Sequence, residues 1–121
     1  MVEFFKNQIA ILLQTLGLKI SRLPNSGFEN LLKKKRYKKH TINLTDMPFE
    51  IADGHSFYYS HREIFLDEIY RFQSDKKDPV IIDCGSNYGT SIVYFKQLYP
   101  DSKIIGVEAD PNIFEILKNN F

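Results

Sequence analysis

The chain is poor in the features that announce the commonest specialised classes. It has a single cysteine, Cys84, which excludes an internal disulfide framework and suits a reducing compartment, so a cytoplasmic location is expected. Its three histidines, His40, His55 and His61, lack ligand spacing and read as surface or polar-network residues, so no metal is expected. No apolar run is long and uninterrupted enough to span a bilayer. No small-residue cleavage site marks a secretory leader. Internal repeats are absent, and the one compositionally biased segment is a lysine run. What remains is 121 residues, 43% hydrophobic and 26% charged, enough for one domain with a true core.

Three segments follow from the patterning: 1–40, 41–78 and 79–121. Val2, Phe5, Ile9, Leu12 and Leu16 alternate at spacings of three and four, with Leu13 and Ile20 widening the stripe, so residues 2–20 are expected to form an amphipathic helix. The stretch Ser21 to Gly27 stops it. Residues 31–40 then carry six positive charges and no negative ones, and removing them from the net +1 leaves about −5 elsewhere. That run reads first as a solvated face or linker. Working with the apolar helix it is also suited to peripheral contact with anionic lipid. Nucleic acid is not expected, because Tyr37 is the run's lone aromatic and single strands need stacking platforms.

From Thr41 the period shortens. Thr41 to Thr45 alternates, Pro48 to Ala52 leads into the turn signal Asp53-Gly54, and Ser56 to Tyr59 follows, a pattern read as a small antiparallel hairpin. Ser60-His61-Arg62-Glu63 has the form of a capping box, so a helix is expected to start there with Phe65, Ile69 and Phe72 on one face. Phe57, Tyr58 and Tyr70 read as packing residues. Further on, Asp110-Pro111 pairs an N-cap with a first-turn proline and predicts a helix to about Asn119.

The chemistry concentrates in Val80 to Thr90 and Ile104 to Glu108. A short apolar run reads as a buried parallel strand, Gly85-x-x-x-Gly89 lets backbone approach a ligand, and a helix beyond it turns free N–H groups toward that ligand. A second apolar strand ends in Glu108, 23 positions after Gly85, close to the roughly 20 expected of an acid that accepts ribose hydroxyls. Two cofactor classes share this layout. The nicotinamide fingerprint G-x-G-x-x-G is missing, and Asp83 closing the first strand is a poor neighbour for a pyrophosphate but a good one for a cationic, amine-bearing ligand. S-adenosylmethionine is therefore favoured. Cys84 has no base beside it and reads as a small buried filler.

The segment IIDCGSNYGTSIVYFKQLYPDSKIIGVEADP resembles the first two motifs of FkbM-type S-adenosylmethionine-dependent methyltransferases, and HREIFLDEIYRF resembles the stretch before their first core strand. The resemblance covers residues 49–121. It implies an α/β, Rossmann-like class I methyltransferase fold, preceded here by a helical appendage and a small hairpin. It also implies that Gly85 and Gly89 are turn glycines, that Ser86 and Asn87 line the loop, that Asp83 lies near the methionine end of the cofactor and that Glu108 holds both ribose hydroxyls. Transfer to a hydroxyl of a sugar or small metabolite is the activity implied. No general base is evident, so the catalytic residue is left unassigned. Such a fold needs more parallel strands than the two visible, so the 121 residues are expected to be its N-terminal portion and to self-associate through unpaired sheet. A nicotinamide-dependent oxidoreductase and a non-catalytic interaction module are the competing readings.

Overall fold

A computed structural model describes residues 27–121. The helix expected over residues 2–20, and the membrane contact it would make, lie outside the described residues. Among those described, no helix is long and apolar enough to cross a membrane.

A short 3-10 turn, Glu29–Lys33, leads into the antiparallel hairpin of β1, His40–Leu44, and β2, Met47–Ile51. Leu44 pairs with Met47, which leaves Thr45 and Asp46 as a two-residue turn, with φ of 52° and 64°. Two successive positive φ values give the twist that a tight hairpin needs. The turn thus lies at Thr45-Asp46 and not at Asp53-Gly54. Phe49 and Ile51 point inward and are almost fully buried.

The expected third strand is instead a helix, α1, Gly54–His61. Asp53 caps it, its carboxylate accepting from the Ser56 N–H at 3.0 Å. This local bond, together with the burial of Phe57 and Tyr58 on one side, outweighs the strand preference of an aromatic-rich run. Ser60 lies in the last turn, where its hydroxyl donates to the Phe57 carbonyl at 3.2 Å, so Ser60-x-x-Glu63 is not a capping box. The helix passes into a π-turn, Arg62–Leu66, and stops; Ile69 and Phe72 sit in the following loop, Ile69 exposed and Phe72 with its ring against Phe95 and Tyr99.

The second unit is β3, Val80–Cys84, then α2, Thr90–Leu98, then β4, Lys103–Val107, parallel to β3, then α3, Pro111–Asn120. α3 has the expected start: Asp110 Oδ1 accepts from the N–H groups of Asn112 at 2.8 Å and Ile113 at 3.3 Å. Gly106 is dictated by packing, since a Cβ there would meet Ser86 Oγ at 2.8 Å and Ile92 Cδ1 at 3.0 Å. One core joins the units. Leu31, Phe49, Ile51 and Phe57 pack with Tyr88, Val93 and Ile116, so the basic segment, the hairpin and the two later helices share a common interior.

Among the described residues, helices cover one face of the β3–β4 pair. Ile81 and Ile104 pack on Tyr94 and Phe95, while Val80, Ile82, Ile105 and Val107 on the opposite face are between 49% and 66% exposed. Cys84 shares that open face and is exposed, correcting its reading as a buried filler.

Candidate functional site

The site is built on the turn between β3 and α2. The Val107 carbonyl accepts from the N–H groups of both Gly85 (2.8 Å) and Ser86 (3.0 Å), which clamps the turn against the end of β4. Gly85 has φ +84° and an added Cβ would meet nothing within 4 Å, so this position faces open space and backbone is accessible there. Gly89, φ +98°, is different. A Cβ there would collide with the Phe121 ring and approach Leu117 Cδ1 at 3.0 Å, so its glycine admits α3 rather than a ligand.

Ser86 is buried, and its hydroxyl donates to the Asp83 carbonyl at 2.8 Å. It shapes the loop from inside. Asn87 takes a left-handed φ of +49°, and its side-chain oxygen accepts from the Tyr88 N–H at 2.9 Å. Its own N–H donates to Glu108 Oε2 at 2.9 Å, while Glu108 Oε1 accepts from the Asp110 N–H at 2.9 Å. Glu108 therefore ties the glycine turn to the entry of α3, and each of its oxygens retains a lone pair for a further donor.

Asp83 is held from α2, with Oδ2 accepting from the Ser91 hydroxyl at 2.6 Å. A cavity of about 140 Å³ lies beside it, bordered by Asp83, Gly85, Thr90 and Ser91 below and Ser60 and Tyr70 above. Thr90 and Tyr88 both border that cavity; Thr90 Oγ1 is buried without a hydrogen-bond partner, while Tyr88 Oη is buried with the Ser60 hydroxyl as its neighbour. Burial also pushes the Tyr88 phenol up to about 12, so it is a neutral donor throughout the physiological range. No side chain caps the N-terminus of α2. An uncapped helix start, the unpartnered Thr90 hydroxyl and an anchored carboxylate together suit a ligand carrying both a carboxylate and an amine. A second pocket of about 420 Å³ opens on the other side of the turn, between Glu108, Asn87 and Ile113 and the residues Tyr37, Asp53 and Ser56.

Sequence reasoning singled out Asp83, Gly85, Ser86, Asn87, Gly89 and Glu108, and the structure brings all six into one turn with its two flanking strand ends. It missed Tyr88, Thr90 and Ser91, whose burial depends on how α1 lies over the turn. It also missed Asn120. The Asn120 amide accepts from the Glu50 N–H (2.8 Å), and donates to the carbonyls of Glu50 (3.0 Å) and Tyr88 (2.8 Å), stitching the hairpin edge to the glycine turn. A polar residue at a helix end gives no such signal in one dimension.

The turn's geometry is accompanied by similarity to known enzymes. No family model matches the chain, and no solved structure does. Over 77 residues, 57% of this chain, it is 34% identical to methyltransferase sdnD of Sordaria araneosa, and over 62 residues, 51% of this chain, it is 36% identical to methyltransferase 1 of Beauveria bassiana (strain ARSEF 2860). The matches take in 30% and 25% of those proteins' own lengths, so the chain spans under a third of the curated relatives it resembles. What it is similar to, over half its length, is methyltransferases.

Proposed function

We propose that this chain carries the S-adenosylmethionine-binding half-site of a Rossmann-like, FkbM-type methyltransferase that acts on a hydroxyl of a sugar or small metabolite. The observation that carries the reading is Glu108: an acid at the end of the second parallel strand, fixed by the Asn87 and Asp110 N–H groups and facing a pocket with lone pairs to spare. Both relatives being named methyltransferases supports the same class.

When bound, the cofactor supplies an activated methyl group on a sulfonium. This chain's residues contribute binding and orientation. The second oxygen of Asp83, whose partner oxygen is held by Ser91, would accept from an ammonium, and the N-terminus of α2 with the Thr90 hydroxyl would suit a carboxylate. Glu108 would accept from the vicinal hydroxyls of the ribose through the lone pairs that Asn87 and Asp110 leave free. Gly85 lets the backbone come close without a side chain intervening. Fixing the cofactor at three points limits the directions in which the methyl group can be presented, and positioning of that kind accounts for much of the rate gain in group transfer.

Calorimetric titration with S-adenosylmethionine, S-adenosylhomocysteine and a nicotinamide dinucleotide tests the proposal. Binding of the two sulfur cofactors and not the dinucleotide is expected. Binding of the dinucleotide alone would overturn it in favour of an oxidoreductase.

A further inference from the structure

The turn at Arg36-Tyr37, inside the basic run, holds one exposed aromatic in an unfavourable backbone conformation. Tyr37 has φ +56°, a left-handed value that costs free energy for a residue with a large side chain. Its side chain repays little of that by packing, because the residue is 80% exposed. The conformation is imposed from beneath. Asp53, 5% exposed, accepts from the Tyr37 N–H at 2.7 Å, from Arg36 Nε at 3.0 Å and from the Ser56 N–H and hydroxyl at 3.0 and 2.9 Å. Burial by itself would raise the Asp53 carboxyl, but the N–H groups of Ser56 and Tyr37, the Ser56 hydroxyl and the Arg36 guanidinium outweigh it and hold the group at about 2. The anchor is thus ionised at every ordinary pH.

Arg36, tethered to the same carboxylate, stands with its guanidinium 4.8 Å from the Tyr37 ring centroid. One side of the ring is therefore backed by a cation while most of its surface remains open. Tyr37 borders the pocket of about 420 Å³ whose far wall includes Glu108 and Asn87, with Ala52 and Ile113 as apolar lining. That volume is in the range of small-molecule sites. Because Glu108 lines this pocket, a ligand whose ribose hydroxyls meet it would bring its base within reach of the Tyr37 side.

We propose that Tyr37 is a stacking platform for the purine ring of the cofactor, presented by the Asp53 anchor and facing Glu108 across the pocket. The proposal rests on the cofactor reading above and goes beyond it by assigning a base contact to the basic segment, which the sequence alone reads as a solvated linker. A flat heteroaromatic ring matches an exposed phenol ring with a restrained backbone, since stacking then costs little further ordering.

The test compares S-adenosylhomocysteine with S-ribosylhomocysteine, which keeps the ribose and amino acid but lacks the base. Tyr37→Ala is expected to weaken S-adenosylhomocysteine by about tenfold to a hundredfold, the scale of one base–aromatic stack, and to leave S-ribosylhomocysteine unchanged. Tyr37→Phe should retain the wild-type affinity for both. The chain has no tryptophan, so Tyr37→Trp introduces a single indole, whose emission should be quenched by the purine ligand and not by the ribosyl one. Unchanged affinity for S-adenosylhomocysteine in Tyr37→Ala would overturn the stacking role while leaving the cofactor reading intact. Equal loss for both ligands would reduce Tyr37 to a structural residue. Failure of the wild-type chain to bind either ligand would remove the cofactor reading, and this proposal with it.

Discussion

The N–H of Asn87 donates to Glu108 Oε2 at 2.9 Å, so the carboxylate at the end of β4 is also the residue that fixes the turn after β3. Positive φ at Asn87 is compatible with this bond and is held by it. One side chain thereby orders the loop and faces the pocket.

Replacing Glu108 by alanine is accordingly expected to do two things. Cofactor affinity should fall by about 2–4 kcal/mol through the loss of charge-assisted hydrogen bonds. The turn should also loosen. Amide exchange at Asn87 and Asp110 should accelerate in the ligand-free variant while protection in β3 and β4 is retained. Unchanged affinity would return Glu108 to a purely structural role, and unchanged exchange would show that the turn is ordered without it.

Gly89→Ala separates packing from ligand approach. The new methyl group would collide with Phe121 and crowd Leu117, at a φ that disfavours any side chain, for a cost of about 2–4 kcal/mol. Gly85→Ala meets no such obstacle, although its φ of +84° still exacts about 1–2 kcal/mol. Chemical denaturation should therefore rank Gly89→Ala as clearly the less stable of the two, with cofactor binding falling further than stability in Gly85→Ala. The opposite ranking would contradict the assignment of the two glycines.

His61 gives the fold a pH dependence. It is buried among Phe28, Phe57 and Phe65, stacked on the last at 4.7 Å, and its Nδ1 has no partner. Burial lowers its pKa below the ordinary 6.5, opposed only in part by the nearby Glu29 charge. The unfolded chain then binds the proton more tightly than the folded one, so stability is fully present above about pH 6.5 and declines as pH falls below it. Thermal midpoints between pH 7.5 and 5 should fall for the wild type and fall less for His61→Phe. Parallel curves would assign the decline to other groups.

The apolar face formed by Val80, Ile82, Ile105 and Val107 is expected to drive self-association of the isolated chain, because contiguous exposed apolar surface on a sheet favours pairing. Sedimentation should show a concentration-dependent mass that Ile82→Lys combined with Ile105→Lys reduces to that of the monomer. A wild-type monomer at all concentrations would contradict this.

Much of this architecture was legible because its signals are local. The Asp110-Pro111 start of α3, the glycine turn, the two parallel strands and the acid at Glu108 each depend on residues within a few positions of one another. The course of residues 53–66 was not legible in the same way. Ser56 to Tyr59 has strand-like composition and Ser60-x-x-Glu63 imitates a helix start, yet the Asp53 cap and the burial of Phe57 place a helix seven residues earlier. The burial expected for both faces of β3 and β4 was half right, since the described residues supply helices to one face only. Asp53 shows the limit most clearly. A residue that reads as a turn signal is the buried anchor for Arg36, Tyr37 and Ser56, a role set by partners 17 and 16 residues upstream.

The central claim is that the turn between β3 and α2, together with Glu108, receives S-adenosylmethionine. Amide-detected NMR titration of the chain with S-adenosylhomocysteine tests it most directly. The account predicts saturable shifts concentrated at Gly85, Asn87, Thr90 and Asp110, abolished or much weakened in Glu108→Ala. Saturable shifts confined to other regions, or none at these four amides at millimolar ligand, would contradict it.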